Sequence, residues 1–300
     1  MTDAERGMRV RFWGTRGSVP SPGPATVRYG GNTPCITVRI ADEPPLVFDA
    51  GTGIRALGPA LGDPPHAPID LFLTHTHWDH IQGLPFFTPL YREGAHLRIW
   101  GANDPPGTLE RTLRTLMSPA VFPVPLESAG AEVEFRTPPF DEVAIGGAAV
   151  RALPVHHPGG AVGYRISGGG TAIVYVPDNE LRGSDGPPAA LRETIRDACR
   201  GAALLIHDST YTAEESGDFR GWGHSTADEA LELALEADVG TLVLFHHAPQ
   251  RADPDVDAMV ARCAVHAAAR GSGLRVVAAA EGEELLVGPV MGSGPARGMG

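Results

Sequence analysis

Apolar positions along this chain follow two rhythms. Short segments that alternate apolar with polar, or stay apolar throughout, predict strands; longer segments with apolar residues at helical spacing predict helices. MRVRFW (8–13), CITVRI (35–40) and PLVFDAG (45–51) open the chain as strands. The first two are joined by a Gly/Pro-rich loop, GTRGSVPSPGPATVRYGGNTP. IDLFLT (69–74) is short and almost wholly apolar, as expected of a strand covered on both faces. Strand patterns recur at 132–136, 148–155, 161–167 and 171–176, then in AALLIHD (202–208), TLVLFHH (241–247) and LRVVAAA (274–280). Helical patterns occupy 110–117, 188–199, 225–237 and 255–270. The second begins after Pro187 at Pro188; the third has Ser225 or Thr226 as cap, with Asp228 and Glu229 in its first turn. The first half is rich in strands and the second alternates strand with helix. No Ser/Gly linker, repeat or change of composition divides them. The pattern predicts one α/β domain over about 8–288, with two packed sheets and helices outside. A short extension (1–7) would precede it, and a disordered Gly-rich tail (289–300) would follow.

Composition narrows the picture. A hydrophobic fraction of 42% with 20% charged residues supports a sizeable core. The 38 glycines and 28 prolines are spread along the chain, which implies many turns between short elements. All 24 basic residues are arginine, and the net charge is −12. Such a charge repels a polyanion at long range, and no basic run offsets it. The expectation is that an extended nucleic acid is an unlikely partner, whereas a small anionic substrate held by metal is compatible. Cys35, Cys199 and Cys263 are odd in number and far apart, so they predict neither a disulfide framework nor zinc spacing. Neither a signal-like region nor an apolar run long enough to cross a membrane is present, which leaves the cytoplasm as the expected compartment and no membrane partner.

The chemistry concentrates in HTHWDH, which begins where strand 69–74 ends. His75 and His77 are two apart, so in extended backbone they point the same way. Asp79 and His80 are adjacent and point differently. Imidazole and carboxylate suit zinc and similar divalent ions. One ion near His75 and His77 and a second near Asp79 and His80 would each have two ligands and need more from elsewhere. Four ionisable groups after a buried strand would otherwise be costly to desolvate.

H-x-H-x-D-H after an apolar strand resembles the metallo-β-lactamase superfamily, whose fold is a four-layer αββα sandwich with a metal site at one edge. VHHPGGAVGYRI (155–166), YVPDNE (175–180), LLIHDSTYTAEE (204–215), GHSTADEA (223–230) and LVLFHH (242–247) follow in the order of its tRNase Z-like branch. The resemblance spans roughly 8–250. It implies His75, His77, His157 and Asp178 on one metal, and Asp79, His80, Asp178 and His246 on the other. His157 stands six residues before Gly163, and a slip of one residue would place His156 there; His247 is the same alternative to His246. His224 resembles the branch's catalytic histidine that binds no metal, and Asp208 could orient it. Asp49 in VFDAGTG would support the ligands rather than bind metal. Trp78 would wall the pocket or pack in the core. His207 could stand behind the ligands, and His66, His96 and His266 are left as structural or surface residues.

Two metals sharing a carboxylate would make a bridging water acidic enough to attack as hydroxide, with Asp79 among the catalytic ligands and His224 protonating the leaving oxygen. Zinc is the expected ion, with manganese or iron permitted. The Gly- and Lys-rich arm of tRNase Z is not found. The opening loop and HTHWDHIQGLPFF look closer to cyclic-nucleotide phosphodiesterases of the anti-Pycsar type, with Arg16 and Arg28 able to reach the site edge. The expectation is therefore a phosphodiesterase for a small phosphodiester such as a 3′,5′-cyclic nucleotide, plausibly a homodimer. An RNA-processing endonuclease, a thioester or lactone hydrolase and a non-catalytic metal-binding module are the alternatives.

Overall fold

The structure is a computed structural model and describes residues 7–62, 67–102, 105, 107–182 and 189–288. His66, Pro187, Pro188, the tail 289–300 and most of the 1–7 extension lie outside the described residues. The described chain forms two seven-stranded sheets. Strands β1 (Met8–Gly14), β2 (Cys35–Ile40), β3 (Leu46–Phe48), β4 (Ile69–Phe72), β5 (His96–Trp100) and β6 (Glu132–Arg136) build the first. The second contains β7 (Val143–Ile145), β8 (Ala148–Val155), β9 (Ala161–Gly168), β10 (Thr171–Val176), β11 (Leu204–Asp208), β12 (Thr241–Phe245) and β13 (Arg275–Ala278). The last strand, β14 (Glu284–Val287), returns to the first sheet and pairs with β1. The sheet orders are β14-β1-β2-β3-β4-β5-β6 and β13-β12-β11-β10-β9-β8-β7.

Each sheet is half antiparallel and half parallel. In the first, pairs from β14 to β3 are antiparallel and pairs from β3 to β6 are parallel. In the second, β7 to β10 are antiparallel and β10 to β13 parallel. The site grows from loops at the carboxyl ends of the parallel strands, where open sheets of this kind commonly carry ligands.

Alternation along the strands sorts side chains between layers. Phe12, Phe48, Phe72 and Trp100 of the first sheet meet Tyr164, Tyr175, Ile206 and Phe245 of the second between the sheets. Behind the first sheet, Leu71, Leu97 and Ile99 pack on α1 (Ile54–Ala60) and α3 (Thr108–Leu116). Behind the second, Val174, Leu205 and Leu242 pack against α4 (Ala189–Cys199), α5 (Ala227–Glu236) and α6 (Asp253–Ala269). The result is the four-layer αββα sandwich. Within it Thr226, not Ser225, caps α5, and Glu229 closes a capping box.

Several boundaries differ from the sequence reading. β3 stops at Phe48 because Asp49 turns to φ +60°, and β4 stops at Phe72 before the histidine cluster. β5 alternates, with Leu97, Ile99 and Trp100 buried, and was open to the sequence reading; β7 has only three residues, β14 a single buried position, and α1 seven residues with Pro59 inside it. These features hid the last three. His77 ends the extended run and precedes a short helix, α2 (Trp78–Ile81), which turns Asp79 and His80 inward.

Candidate metal centre

Loops after β3, β4, β8, β10 and β12, together with the end of β11, bring the predicted side chains to one place. Ligand-type atoms of His75, His77 and His157 lie within 4.8 Å of one another, and so do those of Asp79, His80 and His246. Asp178 stands between these groups. Its Oδ1 is 3.0 Å from His80 Nε2, and its Oδ2 is 3.8, 3.7 and 3.5 Å from Nε2 of His75, His157 and His246. His77 and His157 meet at 2.9 Å, and His246 Nε2 lies 3.2 Å from Asp79 Oδ2.

The imidazoles are oriented from behind. Asp49 Oδ2 lies 3.0 Å from His80 Nδ1, so Nδ1–H donates to the carboxylate and Nε2 faces the cluster. Asp49 is itself held by the Thr74 amide (2.8 Å), the Thr74 hydroxyl (2.9 Å) and the Tyr175 hydroxyl (2.9 Å). With its oxygens so engaged, Asp49 acts behind His80 rather than among the ligand atoms. His157 Nδ1 donates to the Gly223 carbonyl at 2.8 Å. His246 Nδ1 lies 2.9 Å from the Thr210 hydroxyl, which in turn donates to Asp208 Oδ1 at 2.8 Å. The other Asp208 oxygen accepts from His224 Nδ1 at 2.8 Å and from the Asn179 amide at 3.1 Å. Asp208 thus couples His224 to His246.

Charge follows from this geometry. Burial opposes a proton on His80, but Asp178, Asp79 and Asp49 outweigh it and hold its pKa well above the ordinary value. Burial, then the neighbouring His80, pushes His75 well below. Burial alone would raise Asp178; His246, His80 and His75 instead bring it well below the carboxylate range. For His224, burial is again outweighed, by Asp208 first, and its pKa rises to about 9.

Three buried atoms of the cluster, His75 Nε2, His80 Nε2 and Asp178 Oδ1, lack a hydrogen-bond partner. His80 Nε2 and Asp178 Oδ1 face each other at 3.0 Å. Each such orphan costs roughly 1–3 kcal/mol, a cost a shared cation removes. Neutral imidazoles with carboxylates are the donor set of divalent ions such as zinc. The residues therefore fit a divalent metal.

His156 and His247 stay out of these groups. The His156 backbone is bound by Asn179 and Glu180, and His247 Nε2 reaches the Ala279 carbonyl at 2.9 Å. His207, fully buried, bonds the Asp208 carbonyl through Nδ1. His96 sits 3.7 Å from Glu134, and His266 is exposed on α6. Arg16 does not reach the site: it is fully buried and bonds the carbonyls of Gly30 and Arg251, both at 2.7 Å. Arg28 pairs with Asp257 instead. What the opening loop brings to the site is backbone: the Ser18 amide donates to Asp79 Oδ2 at 2.8 Å. Other contributors missed in the sequence are Thr74, Thr210 and Glu180, whose carboxylate accepts from the Gly221 and Gly223 amides at 2.9 and 3.0 Å. Gly223, at φ +87°, presses so closely on His157 that a Cβ would collide with the ring. The glycine itself was the available signal. Trp78 is 60% exposed, so it does not pack in the core.

Fold and site together define a metal-dependent hydrolase. A family model described as "Beta-lactamase superfamily domain" matches residues 46–247. The chain belongs to that superfamily, in its tRNase Z-like branch. It is 29% identical over 292 residues to a ribonuclease Z of Bradyrhizobium sp. (strain ORS 278), covering 82% of this chain and 91% of that one. Against a ribonuclease Z of Gemmatimonas aurantiaca the identity is 30% over 287 residues, covering 79% and 84%. Among solved structures, the metallo-beta-lactamase fold protein YhfI from Bacillus subtilis superposes with a TM-score of 0.68 at 20% identity, over 93% of this chain and 99% of that one.

These relatives overturn one expectation. Proteins named ribonuclease Z align along most of the chain, so an extended nucleic acid cannot be set aside as a partner. The expectation rested on net charge and contiguous runs, and neither describes how arginines gather on a folded surface: Arg9 and Arg39, directly opposite on β1 and β2, line with Arg11 one cavity of about 440 Å³, which Asp42 and Glu284 share, Glu284 pairing with Arg9. Among the described residues, no helix is long and apolar enough to cross a membrane.

Proposed function

We propose that this protein hydrolyses phosphodiester bonds of structured RNA, in the manner its ribonuclease Z relatives' name denotes. The observation that carries the reading is the His224–Asp208 pair (2.8 Å) beside the His/Asp cluster, in a chain that aligns with those relatives over about four-fifths of its length. In this reading His75, His77, His157 and Asp178 hold one divalent ion, and Asp79, His80, Asp178 and His246 a second. Zinc suits these donors, and manganese or iron are chemically admissible. The ions, when bound, would supply Lewis acidity and an acidified water for attack on phosphorus.

The chain's own residues do the rest. Asp178 and Asp79 set negative charge where the ions sit. Asp49, Gly223 and Thr210 hold the imidazoles of His80, His157 and His246 with their ligating nitrogens forward. His224 donates Nδ1–H to Asp208, which leaves Nε2 as the ring atom free to pass a proton to the leaving oxygen. Its ring lies against His246 at 4.8 Å and His157 at 5.2 Å, so the proton donor is packed onto the ligands themselves.

The test is incubation of metal-loaded protein with a structured tRNA precursor beside a panel of 3′,5′-cyclic nucleotides, with Asp178→Ala as control. Cleavage of the RNA, absent in the control, supports the proposal. Turnover of the cyclic nucleotides with the RNA left intact refutes it in favour of a small phosphodiester.

A further inference from the structure

Beside the cluster lies a cleft of about 450 Å³, within the roughly 300–1,000 Å³ of small-molecule sites. Trp78, the residue between His77 and Asp79, forms one wall, with Phe86 and Val121 nearby. These three are 60%, 56% and 66% exposed, an unusual gathering of large apolar side chains in water. Phe86 is braced edge-on by Phe122 at 5.5 Å. The rim is polar. Asn32 and Thr52 lie on it but are engaged by Glu281 and the Thr33 amide, whereas the Gln82 carbonyl is left as an acceptor because its Nε2 faces Thr33 Oγ1 at 3.3 Å. Arg55 completes the lining, and among the described residues its guanidinium has no ion-pair partner.

We propose that this cleft is a nucleobase subsite, in which a base flanking the scissile phosphodiester stacks on Trp78 and Phe86 while Arg55 meets its polar edge or the adjoining phosphate. The inference rests on the phosphodiester reading above and deepens it. A planar heterocycle with a polar rim matches aromatic walls that carry the Gln82 carbonyl and the Arg55 guanidinium at their edge. The position is compatible too, because Trp78 stands in sequence between His77 and Asp79, which sets its backbone next to the cluster. Arginine suits the remaining contact, since its flat guanidinium both stacks and pairs with phosphate oxygens. An apolar peptide would leave Arg55 and the Gln82 carbonyl unmatched.

Calorimetric titration of the metal-loaded protein compares adenosine 5′-monophosphate with ribose 5-phosphate, which lacks the base. Stacking on such walls gives the nucleotide about a 10-fold tighter Kd. That advantage is expected to disappear in Phe86→Ala, an exposed position whose change leaves the fold intact, and nucleotide-dependent tryptophan quenching is expected to disappear in Trp78→Phe. Equal affinity for the two ligands overturns the subsite, as does an advantage that survives Phe86→Ala. A concentration-dependent dimer lost in Phe86→Ala also overturns it, by giving the cleft to a second copy. If the RNA and the cyclic nucleotides are left uncut while the base advantage is present and lost in Phe86→Ala, the subsite stands and the hydrolytic reading falls.

Discussion

Gly223→Ala offers a sharp test of how the metal centre is held. Three effects combine at this position. The backbone sits at φ +87°, where a side chain costs about 1–2 kcal/mol. A Cβ there would lie 3.0 Å from His157 Cε1 and closer still to Nδ1 and to Pro158. Ordinary carbon contacts need about 3.5–4.0 Å, so the ring must move by on the order of an ångström. That movement strains the 2.8 Å bond from His157 Nδ1 to the Gly223 carbonyl, worth about 1 kcal/mol. The sum is about 2–3 kcal/mol of stability. Losing such an outer partner lowers metal affinity by about 10–100-fold. Gly221 supplies the control. It has φ +82° but no atom within 4 Å of its virtual Cβ, so Gly221→Ala carries the backbone cost alone. Zinc titration of chelator-stripped protein, with thermal melts of the same samples, separates the two. Gly223→Ala should bind zinc at least 10-fold more weakly while Gly221→Ala binds as the parent does. Equal zinc affinity in both variants would show that the Gly223 contact does not position His157 for metal.

Other outcomes follow from the same geometry. His224→Ala should slow turnover by about 10²–10⁴-fold with metal content by mass spectrometry unchanged; equal loss of metal would make His224 a ligand and remove it as proton donor. Asp49→Ala leaves the Thr74 amide, the Tyr175 hydroxyl and His80 Nδ1 without their acceptor, so urea unfolding should show about 3–5 kcal/mol less stability. A loss under 1 kcal/mol would refute that role. Removing metal with a chelator should lower Tm reversibly, since an ion present at about 1,000 times its Kd adds about 4 kcal/mol; an unchanged melt on zinc add-back would speak against a metal centre.

The ligand-type residues were legible to different degrees. His75, His77, Asp79 and His80 are contiguous, and a buried strand that ends in ionisable groups announces itself. His157, Asp178 and His246 lie on separate loops, and only the resemblance of their motifs linked them to the cluster. The supporting groups were harder to see because they act through backbone or across long separations. Ser18 contributes an amide, which every non-proline residue has, and Thr74 and Tyr175 meet Asp49 only after the sheets pack. Sheet membership shows the same limit. β8 and the almost wholly buried β10 were found to the residue, whereas β14 leaves Leu286 about half exposed and resembles a loop. The arginine patch needed two strands in register before it existed at all.

The pairing of β14 with β1 has a consequence for how the molecule is made. Met8 is partnered by Val287, so β1 finds its outer neighbour only after the other twelve described strands have been synthesised. Until then β1 presents an open, adhesive edge. Contacts this distant in sequence also slow folding. The nascent sandwich therefore keeps one flank unsealed until the last of its described strands arrives.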